Sequence, residues 1–115
     1  MPMNVEYFTN WTNQARKGIL ELAILNDIRN RKMYAYEIEG RFCKSNGLIL
    51  SRGVIYNILR RLKQQGLVKT TLIKSPDGPK RKYYELTRTG ATTLTQMNNF
   101  WQTINRQAHS IEKGK

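Results

Sequence analysis

Between Leu50 and Gly90 the chain places a basic amphipathic stretch, a glycine stop and a lysine-rich hairpin in immediate succession, and few architectures accept that order. Ser51 is suited to cap a helix, because its hydroxyl accepts from the backbone NH groups that a first turn leaves unpaired. Gly66 suits the left-handed position just past the helix end. Within the Leu50 to Gln65 stretch, Val54, Ile55, Ile58, Leu59 and Leu62 recur at helical spacing and form one apolar face. Arg52, Tyr56, Asn57, Arg60, Arg61 and Lys63 occupy the rest of its surface. Beyond Gly66, the β-leaning runs Leu67 to Ile73 and Arg81 to Leu86 bracket the turn formers Ser75, Pro76, Asp77, Gly78 and Pro79. Lys69, Lys74, Lys80, Arg81 and Lys82 give this hairpin a basic rim. A helix with one face for folding and one for a partner, followed by a basic two-stranded wing, is the arrangement of a winged helix-turn-helix, which reads DNA.

The charge distribution agrees. Among 115 residues the formal net charge is +12, which would make a compact monomer repel itself unless an anionic partner compensates. From Gly40 to Pro76 there are eight cations (Arg41, Lys44, Arg52, Arg60, Arg61, Lys63, Lys69 and Lys74) and no acidic residue. Glu6, Glu21, Asp27, Glu37 and Glu39 all precede that stretch. Solvated lysines are common on any surface, but so one-sided a run beside a reading helix favours contact with phosphate.

The remaining segments read as helices. From about Asn10 to Asn30, Trp11, Ala15, Gly18, Ile19, Leu22, Ala23, Leu25 and Ile28 recur at three- and four-residue intervals, with Leu20 and Ile24 widening the apolar arc. A helix apolar on more than one side, in so small a protein, is expected to meet its own domain and a second subunit. A second helix is expected from about Tyr34 to Ser45, with Tyr36, Ile38 and Phe42 inward, Gly47 as its stop and Asn46 to Leu50 as a turn. Tyr83 and Tyr84 are adjacent on a strand, so only one can face the core. In the C-terminal part Leu94, Met97, Trp101, Ile104, Ala108 and Ile111 follow a heptad seam, with Thr87 as N-cap and a fraying tail from Glu112 to Lys115. Fewer than four heptads are marginal in isolation, so this helix needs a partner, and the first helix of a second copy is the preferred one.

The expected fold class is therefore α+β, mainly α: a winged helix-turn-helix over residues 1–86, with an N-terminal helix, and a C-terminal dimerisation helix and tail over 87–115, all within one structural domain. The sequence shows no nucleophile elbow, phosphate loop, metal-spaced His and Cys set or paired carboxylates, so neither an enzyme nor a cofactor is expected. The single cysteine, Cys43, excludes an internal disulfide and is read as a small buried hydrophobe. His109 is read as solvated. No apolar run approaches the roughly 18 to 20 residues of a membrane span, and no signal peptide is visible, so a cytoplasmic, nucleoid-associated protein is expected.

Four segments resemble the PadR family of bacterial transcription regulators. They are RKGILELAIL from Arg16 to Leu25, MYAYEI from Met33 to Ile38, LSRGVIYNILRRL from Leu50 to Leu62, and GPKRKYYELT from Gly78 to Thr87. The short C-terminal helix is similar to that of the smaller subfamily. The resemblance implies a dimeric winged-helix protein, most often a repressor that releases a double-stranded DNA operator when a small molecule or another signal arrives. The chain departs from the family pattern at Ala35 (usually glycine), Arg52 (commonly acidic), Val54 (frequently threonine) and Asn57 (usually proline).

The resemblance puts the reading helix in the major groove and so nominates Tyr34, Ser51, Arg52, Tyr56, Asn57, Arg60 and Lys63, with Lys80, Arg81 and Lys82 of the wing, as DNA contacts. Arginine can fork onto guanine O6 and N7, and asparagine can bond adenine N6 and N7 together. Ordinary solvent exposure is the alternative for Arg60 and Arg61 and is expected for one of them; of Tyr34 and Tyr36 at least one is a core or phosphate-contacting residue, with packing preferred for Tyr36. Trp11, Leu22, Leu94, Met97, Trp101, Ile104 and Ala108 are the dimerisation candidates. In a branch of the short family members a tryptophan at the place of Trp101 lines a pore at the dimer interface and stacks on flat cationic drugs. Trp11, Met97, Phe100 and Trp101 are thus candidates for a small aromatic or cationic effector, with simple filling of the seam as the alternative. Two other functions fit the same residues: an architectural or plasmid- or phage-type partition protein that coats DNA without an effector, and a winged-helix module that binds an acidic protein.

Overall fold

The computed structural model describes residues 4–42 and 52–113. The elements in order are α1 (Val5–Asn30), β1 (Met33–Tyr34), α2 (Ala35–Phe42), α3 (Arg52–Gln64), β2 (Val68–Lys74), β3 (Lys80–Leu86) and α4 (Arg88–Lys113). This is the α+β, mainly helical, winged helix-turn-helix expected from the sequence. The Ser51 cap, Cys43, Gly47 and the turn over 46–50 lie outside the described residues, as do the side chains of Arg52 and Ile111.

α1 begins earlier than expected, at Val5, because Asn4 caps it: Asn4 Oδ1 accepts from the Tyr7 NH at 2.9 Å. Its buried residues Leu20, Ile24, Leu25 and Ile28 all lie in the second half. β1 is a two-residue strand, too short to leave an alternating pattern in the sequence, and it lies where the second helix was expected to start. The three strands are antiparallel in the order β1-β3-β2, with Met33 opposite Tyr84 and Tyr34 opposite Tyr83. The β2–β3 pairing runs from Val68 opposite Leu86 to Lys74 opposite Lys80.

Ile38 and Phe42 of α2 are buried, whereas Tyr36 is 67% exposed and not inward as expected. At 3.6 residues per turn, position 36 lies about 200° around the helix from Ile38. On α3, Ile55, Leu59 and Leu62 are sealed into the core and Ile58 is half-buried, but Val54 is exposed, which corrects its place on the apolar face. Met33, Val68, Tyr84 and Leu94 close the core from the sheet and from α4. As expected of adjacent strand residues, Tyr84 faces inward and Tyr83 is only half-buried.

A backbone junction fixes the wing between α3 and α4. Gly66 has φ +75°, and the NH groups of Gly66 and Leu67 donate to the carbonyls of Lys63 and Leu62, both at 3.0 Å. This paired closure satisfies carbonyls that the end of α3 would otherwise leave open. On the other side the Thr87 NH donates to the Leu67 carbonyl at 3.1 Å, and the Thr87 hydroxyl donates to the Gly66 carbonyl at 2.6 Å. The same hydroxyl oxygen accepts from the Gly90 NH at 2.9 Å, which confirms Thr87 as the α4 cap. A Cβ at position 90 would stand 2.0 Å from the Leu67 carbonyl oxygen. α4 also meets α1 through a reciprocal amide pair, Asn26 Nδ2 to Asn98 Oδ1 and Asn98 Nδ2 to Asn26 Oδ1, both 3.0 Å.

Gly90→Ala is expected to destabilise the protein by about 1–3 kcal/mol, because the added methyl must displace a backbone oxygen that Thr87 uses as an acceptor. Urea denaturation of the two proteins followed by circular dichroism checks this.

Candidate nucleic-acid interface

α3 presents Tyr56, Asn57, Arg60 and Lys63 on an exposed arc, opposite the buried Ile55, Leu59 and Leu62. Residues three and four apart on a helix share a face, so Tyr56, Arg60 and Lys63 form a row with Asn57 beside it. The Arg60 Nη2 donates to Asn57 Oδ1 at 2.9 Å within that arc. Arg61 turns the other way and pairs with Glu21 of α1. Of the two adjacent arginines, Arg60 therefore stands on the open arc while Arg61 ties α3 to α1.

The wing divides its cations between two faces. Strand alternation puts Lys80 and Lys82 on the face of Tyr84, and Tyr84 is the side chain that reaches the core. Burial, and then the nearby Tyr56 phenol, push the Tyr84 phenol above its ordinary value. Lys80 and Lys82 are exposed and continue this face toward the hairpin tip, as does Lys74 opposite Lys80. Arg81 lies on the other face, its guanidinium 4.5 Å from the centroid of the Tyr34 ring, and Tyr34 meets Tyr83 edge-on at 5.3 Å. Tyr34 and Arg81 are thus committed to each other, and the structure does not bring them to the α3 arc.

Other cations are balanced inside the protomer. Arg41 is paired with Asp27, which holds its guanidinium above the usual arginine range, and Arg31 lies 3.1 Å from Glu37. The second Glu37 oxygen accepts from the Tyr34 NH at 3.2 Å, so this carboxylate also caps α2. Neither the partnership of Glu21 with Arg61 nor this capping role was apparent in the sequence. The only hint was that the acidic residues cluster before the basic run.

A second candidate site is an apolar groove of about 520 Å³ between α1 and α4. Gly18, Ile19 and Leu22 form one wall, and Met97, Phe100, Trp101 and Ile104 the other. Met97, Phe100 and Trp101 line it together, whereas Trp11, 57% exposed, lies outside the lining on an earlier turn of α1. Leu94 is fully buried in the protomer's own core, so its expected place at a subunit interface is corrected. Ala108 and His109 are exposed. Among the described residues there is no group of three or more His, Cys, Asp or Glu that could hold a metal ion, and no helix long and apolar enough to cross a membrane.

Residues 24–96, from the second half of α1 into α4, match the model of the Transcriptional regulator PadR-like family. The chain belongs to that family. A PadR-like transcriptional regulator from Bacillus cereus, known from a crystal structure, is 33% identical, with 89% of this chain and 99% of the other aligned at a TM-score of 0.80. A PadR-family regulator from Eggerthella lenta shares the fold at TM-score 0.79 over 96% of both chains, with 21% identity. An uncharacterised protein of Lysinibacillus sphaericus is 27% identical over 90 residues, 76% of this chain and 83% of its own length. In this PadR-like chain the α3 arc and the wing face carry the polar and cationic groups that contact with nucleic acid requires.

Glu21 and Arg61 are expected to couple by about 0.2–1 kcal/mol in a double-mutant cycle read by urea denaturation, whereas Glu21→Ala and Arg60→Ala should add without coupling. Zero coupling for the first pair would mean that Arg61 is free in solution.

Proposed function

We propose that this PadR-like protein is a homodimeric, sequence-specific repressor that binds a double-stranded DNA operator. The observation that carries the reading is the exposed arc of Tyr56, Asn57, Arg60 and Lys63 on α3, together with the exposed Lys80 and Lys82 of the wing that follows it. α3 enters the major groove, where Asn57 and Arg60 reach base edges, with Arg52 and Ser51 at its start. Lys63, Lys80 and Lys82 hold phosphates. Arg81 and Tyr34 brace the wing from behind and act on DNA through its position.

Residues 1–86 form the DNA-binding region, and 87–115 the dimerisation helix and tail. Dimerisation is supported by what one protomer leaves uncovered. Phe100, Trp101 and Ile104 of the groove wall, and Tyr7, Phe8 and Trp11 on the earlier turns of α1, are exposed large hydrophobics. A second copy that covers them would set the distance between two α3 helices and hence the half-site spacing. A small aromatic or cationic molecule held by Phe100, Trp101 and Met97 at that interface would relieve repression by favouring a dimer geometry other than the DNA-bound one. Such a protein works in the cytoplasm, on the nucleoid.

Selection of bound fragments from the source genome at ~150 mM salt, which suppresses nonspecific phosphate attraction, tests the reading. One palindrome near a promoter is the expected result, whereas a footprint that spreads along flanking DNA would favour a coating protein. On the selected site Lys82→Ala should weaken binding about equally for operator and random DNA, and lower the salt slope by about 1 per bound protomer. Ile104→Asp is expected to convert the dimer to a folded monomer in sedimentation velocity, since it puts a charge on an exposed residue of the apolar groove.

A further inference from the structure

We propose that Asn57 is a positioning residue for Arg60, and that the two side chains work as one reading unit that selects an A·T pair directly beside a G·C pair. The inference rests on the DNA-binding reading above and adds to it what α3 recognises. It starts from the hydrogen bond of Arg60 Nη2 to Asn57 Oδ1, 2.9 Å, between two exposed side chains of the open arc.

Donor and acceptor counting allows both residues to read bases while this bond persists. A guanidinium has five N–H donors in a rigid fork, so one spent on Asn57 leaves a two-donor edge for guanine O6 and N7. The Asn57 oxygen has two lone pairs, so it can accept from Arg60 and from adenine N6 together, while its NH2 donates to adenine N7. Spacing fits as well: three residues along a helix advance about 4.5 Å, close to the ~3.4 Å separation of neighbouring base pairs. The bond matters because an arginine on an exposed helix face otherwise loses much side-chain freedom on ordering, and a fork held before contact loses less. Arg61, one turn from Asn57, is engaged instead with Glu21 of α1.

Selection from a randomised duplex library with the full-length protein and three variants tests this. Wild type should yield half-sites with adjacent A·T and G·C pairs, and Arg60→Ala should lose the guanine. Asn57→Ala should lose the adenine and also lower the guanine preference about tenfold. Asn57→Asp keeps the acceptor for Arg60 but loses the donor to adenine N7, so it should restore guanine selection without adenine. Position 57 is exposed on a helix, and thermal melting should be unchanged in both Asn57 variants. A guanine preference undiminished in Asn57→Ala, or lost equally in Asn57→Asp, would overturn the positioning role while leaving specific DNA binding intact. A wild type that enriches no motif would overturn both.

Discussion

Everything that makes this chain a reader of a surface depends on the close approach of Gly90 to the Leu67 carbonyl. That carbonyl receives the Thr87 NH at the point where the wing returns. With 2.0 Å between a would-be Cβ and the oxygen, no side chain at position 90 leaves the contact in place. The end of α3, both ends of the wing and the start of α4 therefore meet within a few residues, bound through Gly66, Leu67 and Thr87. The wing lysines project from a hairpin whose base cannot swing relative to α3 without breaking several backbone hydrogen bonds. Loops that carry function need such a scaffold, because order imposed only on binding would cost affinity.

The electrostatics follow from the same placement. A net charge of +12 is not spread evenly, because the carboxylates of α1 and α2 are used within the protomer on Arg31, Arg41 and Arg61. Pairing these three arginines reduces self-repulsion on the side where α1, α2 and α3 pack. Arg60, Lys63, Lys80 and Lys82 are left exposed, so the α3 arc and the wing each keep positive charge. Contact with polyphosphate relieves the repulsion among those cations.

How much of this was legible in the sequence depended on whether the signal was local. The α3 apolar period, Gly66, the turn from Ser75 to Pro79 and the Thr87 cap are local chemistry, and the structure matches them closely. Val54 and Tyr36 were misplaced because apolar residues at the margin of a helical face satisfy the period without reaching the core. The start of α1 was missed although Asn4 offered a cap and Val5, Phe8 and Trp11 continue the stripe. Leu94 obeys the heptad spacing of α4, yet it packs on the protomer's own core, since a spacing rule does not say which chain supplies the partner. The roles of Glu21, Asn26, Asn98 and Gly90 are all long-range in sequence. For the amide pair the hint was a polar residue, Asn26, within an apolar period.

α1 is the element through which the groove and the reading helix share structure. Glu21 borders the groove and also accepts from Arg61 of α3, while Leu20, Ile24, Leu25 and Ile28 bury α1 in the same core as Ile55 and Leu59. A shift of α1 that altered the groove would have to carry α3 with it or break that ion pair and repack a dense core, and such cores are stiff. Signalling in the proposed dimer therefore needs no moving hinge inside the protomer. It is enough that the groove's occupant changes how two protomers meet, because each α3 is fixed to its own α1. The rigid unit then turns a small rotation at the interface into a change of distance between two reading surfaces, and operator half-sites at fixed helical spacing are sensitive to that distance.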